Sequence, residues 1–282
     1  MKKIIWSILF FFLIFLFSTA QKADRCTLNV ASFNIRYDNN EDGSNQWKYR
    51  KDLVISLIRF YDFDVFGIQE GLIHQVKAIE EMGLYDRIGV GRDDGKEDGE
   101  HACVFYKKNQ FELLDSGDFW LSETPDKPSL GWDALCRRVC SWVKLREIGS
   151  EKVFFFFNVH FDHRGNEARI KSADLILKTI KQIVDKTPTI LVGDFNGTIE
   201  SNHIKILKND GLFSDSRDIS QEPPYGTEGT INQFQVNPKV KARIDYIFLT
   251  KNIKVNKYAT LNDTYYDRLL SDHYPIFARI TF

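Results

Sequence analysis

Short apolar segments recur along the chain and are separated by clusters of Gly, Asn, Asp and Pro. Apolar segments bounded by such turn residues are typical of β-strands. The pattern predicts strands at residues 28–34, 65–69, 102–106, 139–145, 153–160, 189–193, 244–249 and 275–281. Strands are therefore expected along most of the chain.

Other segments show the spacing of an amphipathic helix. Residues 47–61 and 167–185 carry apolar side chains every three or four positions, for example Ala173, Ile176 and Ile180. A shorter helix is predicted at residues 201–209, where Gly211 would stop it. Many strands with a few helices between them predict two packed β-sheets flanked by helices in one domain.

The N-terminal residues differ from the rest. Lys2 and Lys3 precede an apolar segment, residues 4–17, which is followed by the small residues at 18–20. This is the layout of a secretory signal peptide. The apolar segment is shorter than the ~20 residues that a membrane-spanning helix needs, which favours cleavage over a permanent anchor. We therefore expect residues 1–20 to be a signal peptide, and residues 21–282 to be a single domain exported to the periplasm or the medium.

The charge balance argues against a general affinity for polyanions. The formal net charge is -1, so no overall basic field would hold a nucleic acid. The dense basic segment at residues 239–243 could follow a phosphate backbone, or it could be the solvated edge of a loop. The chain has four cysteines, Cys26, Cys103, Cys136 and Cys140, and we expect buried free thiols.

Several predicted strands end at an acid, an amide or a histidine: Asn34, Glu70, His160, Asp194 with Asn196, Asp245 at the start of a strand, and Asp272-His273 before the last one. Each of these residues alone could be an ordinary turn residue. Together they offer hard oxygen ligands, which suit Mg²⁺. The two histidines, each with an acid available as a partner, suit proton transfer or phosphate contact.

Six motifs resemble, in their order and spacing, those of the endonuclease/exonuclease/phosphatase superfamily. They lie at residues 32–36 (Ser-Phe-Asn-Ile-Arg), 69–70 (Gln-Glu), 158–163 (Asn-Val-His-Phe-Asp-His), 193–196 (Gly-Asp-Phe-Asn), 243–248 (Arg-Ile-Asp-Tyr-Ile-Phe) and 271–275 (Ser-Asp-His-Tyr-Pro). Residues 91–95, 119–125, 131–134 and 225–226 further resemble a bacterial exported branch, distantly similar to nocturnin-like deadenylases. Two segments depart from that branch, at residues 136–142 and 229–234, although Arg138 keeps the usual arginine.

The resemblance implies a four-layer α/β sandwich of two packed, mostly antiparallel β-sheets flanked by helices, with the site at one edge. It also implies hydrolysis of phosphoesters with Mg²⁺, for which Mn²⁺ would substitute. By the same resemblance the metal ligands are Asn34, Glu70 and Asp272, the catalytic residues are His160, Asp194, Asn196, Asp245 and His273, and the supporting or phosphate-contacting residues are Glu100, Arg138 and Asn232. His273, oriented by Asp245, is expected to activate the attacking water, with Asp194 as the alternative.

Three functions stay open at this point. The first is a phosphodiesterase or phosphatase acting on a small or lipid-linked phosphoester, and the second is a nuclease acting on DNA or RNA. The third, a catalytically inactive binding protein, is the least expected because every mapped catalytic position is retained. Trp120, Trp132 and Trp142 could stack a base or a sugar, or they could belong to the core. No obligate protein partner is indicated.

Overall fold

The computed structural model describes residues 25–239 and 241–282. The predicted signal peptide, residues 1–20, lies outside the described residues. None of the helices in these two ranges is both long enough and apolar enough to cross a membrane.

The first β-sheet contains strands from both ends of the described chain: β1 (Thr27–Asn34), β2 (Val65–Gln69), β3 (Tyr85–Ile88), β4 (Val104–Lys107), and, much later, β11 (Lys254–Thr260) and β12 (Ile276–Thr281). Its spatial order is β11-β12-β1-β2-β4-β3. The pair β1–β2 is parallel, and the other neighbours are antiparallel.

The second sheet takes the middle of the chain: β5 (Phe111–Trp120), β6 (Val139–Glu147), β7 (Val153–His160), β8 (Thr189–Asp194), β9 (Phe213–Asp215) and β10 (Asp245–Thr250). Its order is β5-β6-β7-β8-β10-β9, again with one parallel pair, β7–β8. Each sheet therefore has a parallel pair near its centre.

Helices cover the outer faces of both sheets. They are α1 (Trp47–Phe60), α2 (Ile73–Glu80), α3 (Asn166–Ile183) and α4 (Asn202–Asn209), with a 3₁₀ segment at Asn40–Asn45. The apolar sides of α1 and α2 pack on the first sheet, and those of α3 and α4 on the second. A third apolar core, including Val30, Phe156 and Val192, lies between the sheets. The predicted four-layer sandwich is confirmed.

The sequence missed β3, β5, β9 and β11, and these four are the edge strands of the two sheets. An edge strand is paired on one side only and tolerates polar side chains, so its apolar pattern is weak. β5, for example, includes Asp115 and Asp118, and its pairing with β6 is interrupted by a bulge. The short helix α2 was also missed. The four cysteines are unpaired, as expected, and all but Cys136 are buried.

A buried asparagine, Asn158, forms hydrogen bonds between the two sheets. Asn158 of β7 donates from Nδ2 to the carbonyl oxygens of Ile68 (2.8 Å) and Cys103 (2.9 Å), and its Oδ1 accepts from Gln69 Nε2 (2.7 Å). Gly67 leaves room for this contact, because a Cβ there would lie 2.4 Å from Asn158 Cγ. The two sheets are thus fixed to each other next to the end of β2.

Candidate active site

The two parallel strand pairs end at the same edge of the sandwich. β1 ends at Asn34, β2 is followed by Glu70, β7 ends at His160 and β8 ends at Asp194. The strand register sets His160 beside Asp194, and Asp194 beside Asp245 of β10. Residues that are far apart in the sequence therefore meet because of strand pairing and sheet packing.

Asn34 links the two sheets at this edge. Its Nδ2 donates to Glu70 Oε1 and to Asp194 Oδ2, both at 3.0 Å, and its Oδ1 accepts from the backbone N–H of Arg36 (3.0 Å). Glu70 has a φ of 64°, in the left-handed region. Such a conformation costs about 1–3 kcal/mol for a residue with a side chain, and it is commonest at functional sites.

His160 lies between two carboxylates without a hydrogen bond to either. Its Nε2 is 3.5 Å from Asp194 Oδ2 and its Nδ1 is 3.8 Å from Glu100 Oε2. Burial lowers the pKa of His160 well below its ordinary 6.5, and the positive charge of Arg138 lowers it further. His160 is therefore a neutral imidazole that can donate one hydrogen bond. Glu100, which the resemblance assigns to the supporting residues, lies beside it.

The pKa of His273 is shifted in the opposite direction from that of His160. Its Nδ1 donates to Asp245 Oδ2 at 2.9 Å, and its Nε2 is 3.9 Å from Asp194 Oδ2. Burial alone would lower the pKa of His273, but the carboxylates of Asp245 and Asp194 outweigh it and hold the pKa well above 6.5. His273 is therefore held as an imidazolium oriented by Asp245.

The loop before β12 is tied to the end of β1. Ser271 Oγ donates to the carbonyl oxygen of Asn34 (2.7 Å), and Asp272 Oδ2 lies 3.7 Å from Arg36 Nη1. The backbone N–H of Asn232 donates to the Asp272 carbonyl oxygen (2.7 Å). Asn232 Oδ1 accepts from the N–H of Phe234 (2.8 Å), while its buried Nδ2 has no partner among the described residues. Asn232 thus stabilises the loop that carries Asp272.

Asn196 and Arg138 complete the predicted set. Asn196, with a φ of 49°, donates from its backbone to Asp194 Oδ1 (2.9 Å) and from Nδ2 to the Phe161 carbonyl oxygen (3.0 Å). Arg138 is 5% exposed and donates from Nη2 to His163 Nδ1 (3.0 Å). The structure therefore brings all the predicted site residues to one edge.

A cleft of about 530 Å³ opens on these groups. It is lined by Arg36, Tyr37, Glu70, Arg92, Glu100, Cys136, Arg138, His160, His163, Asp194, Asn196, Ile231, Ile244 and His273. Larger cavities, of about 660 and 700 Å³, lie at the end of α3 and beside Ile231. Neither is lined by an imidazole, so the chemistry of the lining, rather than size, identifies the candidate active site.

Sequence reasoning gave no role to several residues that line the cleft: Arg36, Tyr37, Arg92, Cys136 and His163. All but Tyr37 lie within segments that either resemble the family pattern or depart from it. A single sequence shows that a segment matches a pattern, but it does not show which side chains of that segment face the cleft.

The carboxylates fit a divalent cation. Ligand atoms of Glu70, His160 and Asp194 lie within 4.8 Å of one another. Atoms of Asp194, Asp245 and His273 are equally close, but a protonated His273 offers no lone pair to a metal. Burial, followed by the charge of Asp245, raises the pKa of Asp194 to about 7. Burial and nearby Glu70 also raise the pKa of Asp272. A cation would relieve this crowding of buried negative charge, and carboxylate and amide oxygens suit Mg²⁺ or Mn²⁺.

Comparison with known proteins gives a consistent result. A sequence profile described as Endonuclease/Exonuclease/phosphatase family matches residues 26–273. The structure of a mannosyl-6-phosphatase from Bacteroides thetaiotaomicron is 39% identical, with a TM-score of 0.88 over 90% of this chain and 100% of that one. The human nocturnin catalytic domain, at 18% identity, shares the fold with a TM-score of 0.71 over 93% of this chain and 99% of that one.

Among curated sequences, the Ccr4 exoribonuclease subunit of the CCR4-Not complex of Saccharomyces cerevisiae is 24% identical over 84% of this chain and 35% of its own length. The alignments with the curated relatives span 35% to 65% of those relatives' own length.

Proposed function

Because the chain belongs to the endonuclease/exonuclease/phosphatase family, it is a hydrolase of phosphoesters, and we propose that it uses a divalent cation to hydrolyse a small phosphoester. The observation that carries this proposal is the position of Asn34, whose amide touches the carboxylates of Glu70 and Asp194 at 3.0 Å. That contact joins the predicted metal site on one sheet to the predicted catalytic acid on the other.

Glu70, Asn34 and Asp272 would hold the cation, which would be Mg²⁺ or Mn²⁺. When bound, such a cation polarises a phosphoryl oxygen and offsets the charge of the transition state. His160, as a neutral imidazole, and Arg138 donate to oxygens of the same phosphate. The buried cleft strengthens these contacts because little water competes for them.

The reaction forms a bond between a water oxygen and phosphorus while the phosphorus–oxygen ester bond breaks. We expected His273 to take the proton of the attacking water. The raised pKa of His273 favours the alternative, because a residue that already carries a proton is a poor acceptor. Asp194, with its pKa raised to about 7, can accept that proton near neutral pH. His273 would then donate to a phosphoryl oxygen or protonate the leaving alkoxide.

Four features favour a small phosphoester over a nucleic acid. One relative with 39% identity is a mannosyl-6-phosphatase, and the net charge of -1 gives no basic field. In the basic segment, Arg243 is committed to a buried ion pair with Asp215 at 2.7 Å, so it is not free to follow a phosphate backbone. Trp142 is half-buried against Phe155 and Phe157 and does not line the cleft, so it is not placed to stack a base there.

The second candidate is a nuclease, and the observation in its favour is the similarity to Ccr4 exoribonuclease subunits over more than four fifths of the chain. One panel separates the two candidates. The purified chain is assayed with Mg²⁺ on sugar phosphates, inositol phosphates, phospholipids, DNA and RNA, with an Asp194→Ala variant as the background control.

We expect release of phosphate from small phosphomonoesters, its loss in EDTA, and its return with Mg²⁺ or Mn²⁺. Turnover that resists EDTA would contradict the role of the metal. Hydrolysis of DNA or RNA far faster than of any small ester would favour the nuclease. A chain that binds phosphate esters but hydrolyses none would be a binding protein on this scaffold.

Export also belongs to the proposal, supported by the lysines and apolar residues near the N-terminus. We expect the mature protein to begin after Ala20 and to lie outside the cytoplasm. Mass spectrometry of the N-terminus, after fractionation of the native cells, checks this. A protein that keeps Met1 or Lys2 and stays in the cytoplasm would contradict it.

A further inference from the structure

A folded loop between β3 and β4 borders the cleft. The backbone of this loop closes on itself, with Gly91 N–H donating to the Lys96 carbonyl oxygen (2.9 Å) and Arg92 N–H donating to that of Glu100 (3.1 Å). His101 N–H donates to the Gly71 carbonyl oxygen (2.9 Å), one residue after Glu70. The loop is therefore held beside the predicted metal site.

A second contact fixes the backbone of this loop at Arg92. Trp120 Nε1 donates to the Arg92 carbonyl oxygen at 2.8 Å. Trp120 is 6% exposed, so it supports the loop from the interior rather than offering a stacking surface. The Arg92 side chain lines the cleft, and its Nη1 donates to Glu100 Oε2 at 2.6 Å. Its Nε has no acceptor within the described residues.

Arg138, the residue just before β6, approaches the same carboxylate. Its Nη1 lies 3.9 Å from Glu100 Oε2 and its Nε lies 3.6 Å from Asp162 Oδ2, and both distances are too long for hydrogen bonds. Two nitrogens of this buried guanidinium are thus left without a partner among the residues described. Buried charged donors without acceptors are costly, and in native proteins a water, an ion or a ligand completes them.

The two guanidiniums lie on the His160 side of the catalytic groups. Glu100 Oε2 is close to both of them and is also 3.8 Å from His160 Nδ1, while the other ring nitrogen of His160 faces Asp194. Arg92, Arg138, His160 and Asp194 all line the same cleft. A phosphate bound in this cleft beside His160 would therefore lie near both arginines, and its oxygens would accept from guanidinium donors that have no other partner.

We propose that Arg92, acting beside Arg138, binds the third terminal oxygen of a phosphomonoester and thereby makes the enzyme prefer monoesters to diesters. This inference rests on the proposed hydrolysis of phosphoesters. A monoester presents three non-bridging oxygens and up to two negative charges. A diester presents two such oxygens and one charge, and its second ester group occupies the third position. Guanidinium groups recognise such oxygens through charge-assisted, paired hydrogen bonds.

The test compares p-nitrophenyl phosphate with methyl p-nitrophenyl phosphate, which share a leaving group and differ by one terminal oxygen. The variants are Arg92→Gln and Arg92→Lys, and the control is Arg137→Gln. Arg137 is also a cationic residue near the cleft, but it is largely exposed and its Nη1 is 3.4 Å from Asp93. The control therefore removes the same charge without touching the proposed oxygen site.

We expect wild-type kcat/KM to be higher for the monoester. A charge-assisted hydrogen bond contributes about 1.5–3 kcal/mol, so Arg92→Gln should lower kcat/KM for the monoester roughly 10- to 100-fold. The diester should change less than about threefold, and Arg137→Gln should change neither substrate. Arg92→Lys keeps the charge but loses the planar guanidinium. Its kcat/KM for the monoester should therefore lie between those of wild type and Arg92→Gln. Thermal unfolding establishes that each variant is folded, and Arg92→Lys decides the question if Arg92→Gln does not fold.

An equal loss on both esters, no loss on either, or a wild type that prefers the diester would overturn the inference. Calorimetric titration with inorganic phosphate gives a second readout that needs no turnover. We expect weaker phosphate binding in Arg92→Gln than in wild type, and unchanged affinity would also overturn it. If wild type hydrolyses neither ester but Arg92→Gln still weakens phosphate binding, the proposed function fails while the role of Arg92 stands.

Discussion

Exchange of Asp245 for Asn separates the two assignments of the proton acceptor. Asp245 is 1% exposed, and its Oδ2 accepts from His273 Nδ1 at 2.9 Å. Asparagine keeps the shape and removes the charge. Burial would then dominate, so the pKa of His273 should fall from its raised value. Loss of a charge-assisted hydrogen bond removes about 1.5–3 kcal/mol, and loss of a positioned proton donor slows reactions about 10²–10⁴-fold.

The assay is kcat/KM against pH with p-nitrophenyl phosphate and Mg²⁺. If His273 acts as a proton donor, activity falls as the pH rises through its pKa. Asp245→Asn should therefore show a lower plateau and an alkaline limb shifted to lower pH. If His273 is instead the base, the limb that moves is the acidic one, and activity should persist to lower pH. If the kcat/KM of Asp245→Asn stays within about threefold of wild type and its pH profile is unchanged, Asp245 and His273 do not act as a functional unit.

The matched control is Asp64→Asn. Asp64 is also a buried carboxylate, with Lys107 Nζ at 2.7 Å from its Oδ1. It precedes β2, whereas Glu70 follows that strand, so it lies at the opposite end of the sheet. Removing its charge should lower stability, because an ion pair is broken, but leave kcat/KM and its pH profile unchanged. A shift of the profile in this variant would mean that the assay reports unfolding rather than proton transfer.

Three further outcomes are expected. Asn34→Ala and Asp194→Ala should each lower kcat at least about 100-fold while circular dichroism and Tm report a folded chain, and near-wild-type turnover in either would contradict the site. Gly67→Ala should destabilise the fold by about 1–3 kcal/mol in urea titrations, because its Cβ would press on Asn158, and an unchanged midpoint would show that the sheets can shift apart. Burial lowers the pKa of His203 to about 4, so the unfolded chain binds more protons below pH 6.5 and the free energy of unfolding should fall between pH 6.5 and 4. The loss is about 3 kcal/mol at most, and His203→Asn should flatten that part of the stability curve.

The sequence predicted the interior of the fold better than its margins, for a physical reason. β7 and β8 are apolar on both faces, because each packs between a helix layer and the other sheet, so their segments are easy to recognise. β5 and β11 pair on one side only and carry charged residues with bulges, and nothing local distinguishes them from loops.

The residues of the candidate site were also easier to predict from the sequence than the contacts between them. Asn34, Glu70 and Asp194 could be found because an apolar strand ends at each of them. The contact of Asn34 with Asp194 depends on how the two sheets dock, and that docking has no local signal. Arg92 belongs to a recognised segment, but its direction follows from the hydrogen bonds of its loop and from Trp120. The sequence motif therefore identifies the segment that contains Arg92, but not the direction of its side chain.

The pairing of β1 with β12 makes the candidate site depend on two segments that lie far apart in the sequence. Asn34 ends β1, and Asp272 and His273 lie just ahead of β12, while Cys26 and Phe282 exchange backbone hydrogen bonds at 3.1 Å. Contacts between such distant segments are slow to form, because a long stretch of chain must first close into a loop. A shortened chain without β12 would expose the edges of β1 and β11 and would leave Asp272 and His273 without the strand that holds them. Such a chain should neither fold stably nor assemble the site.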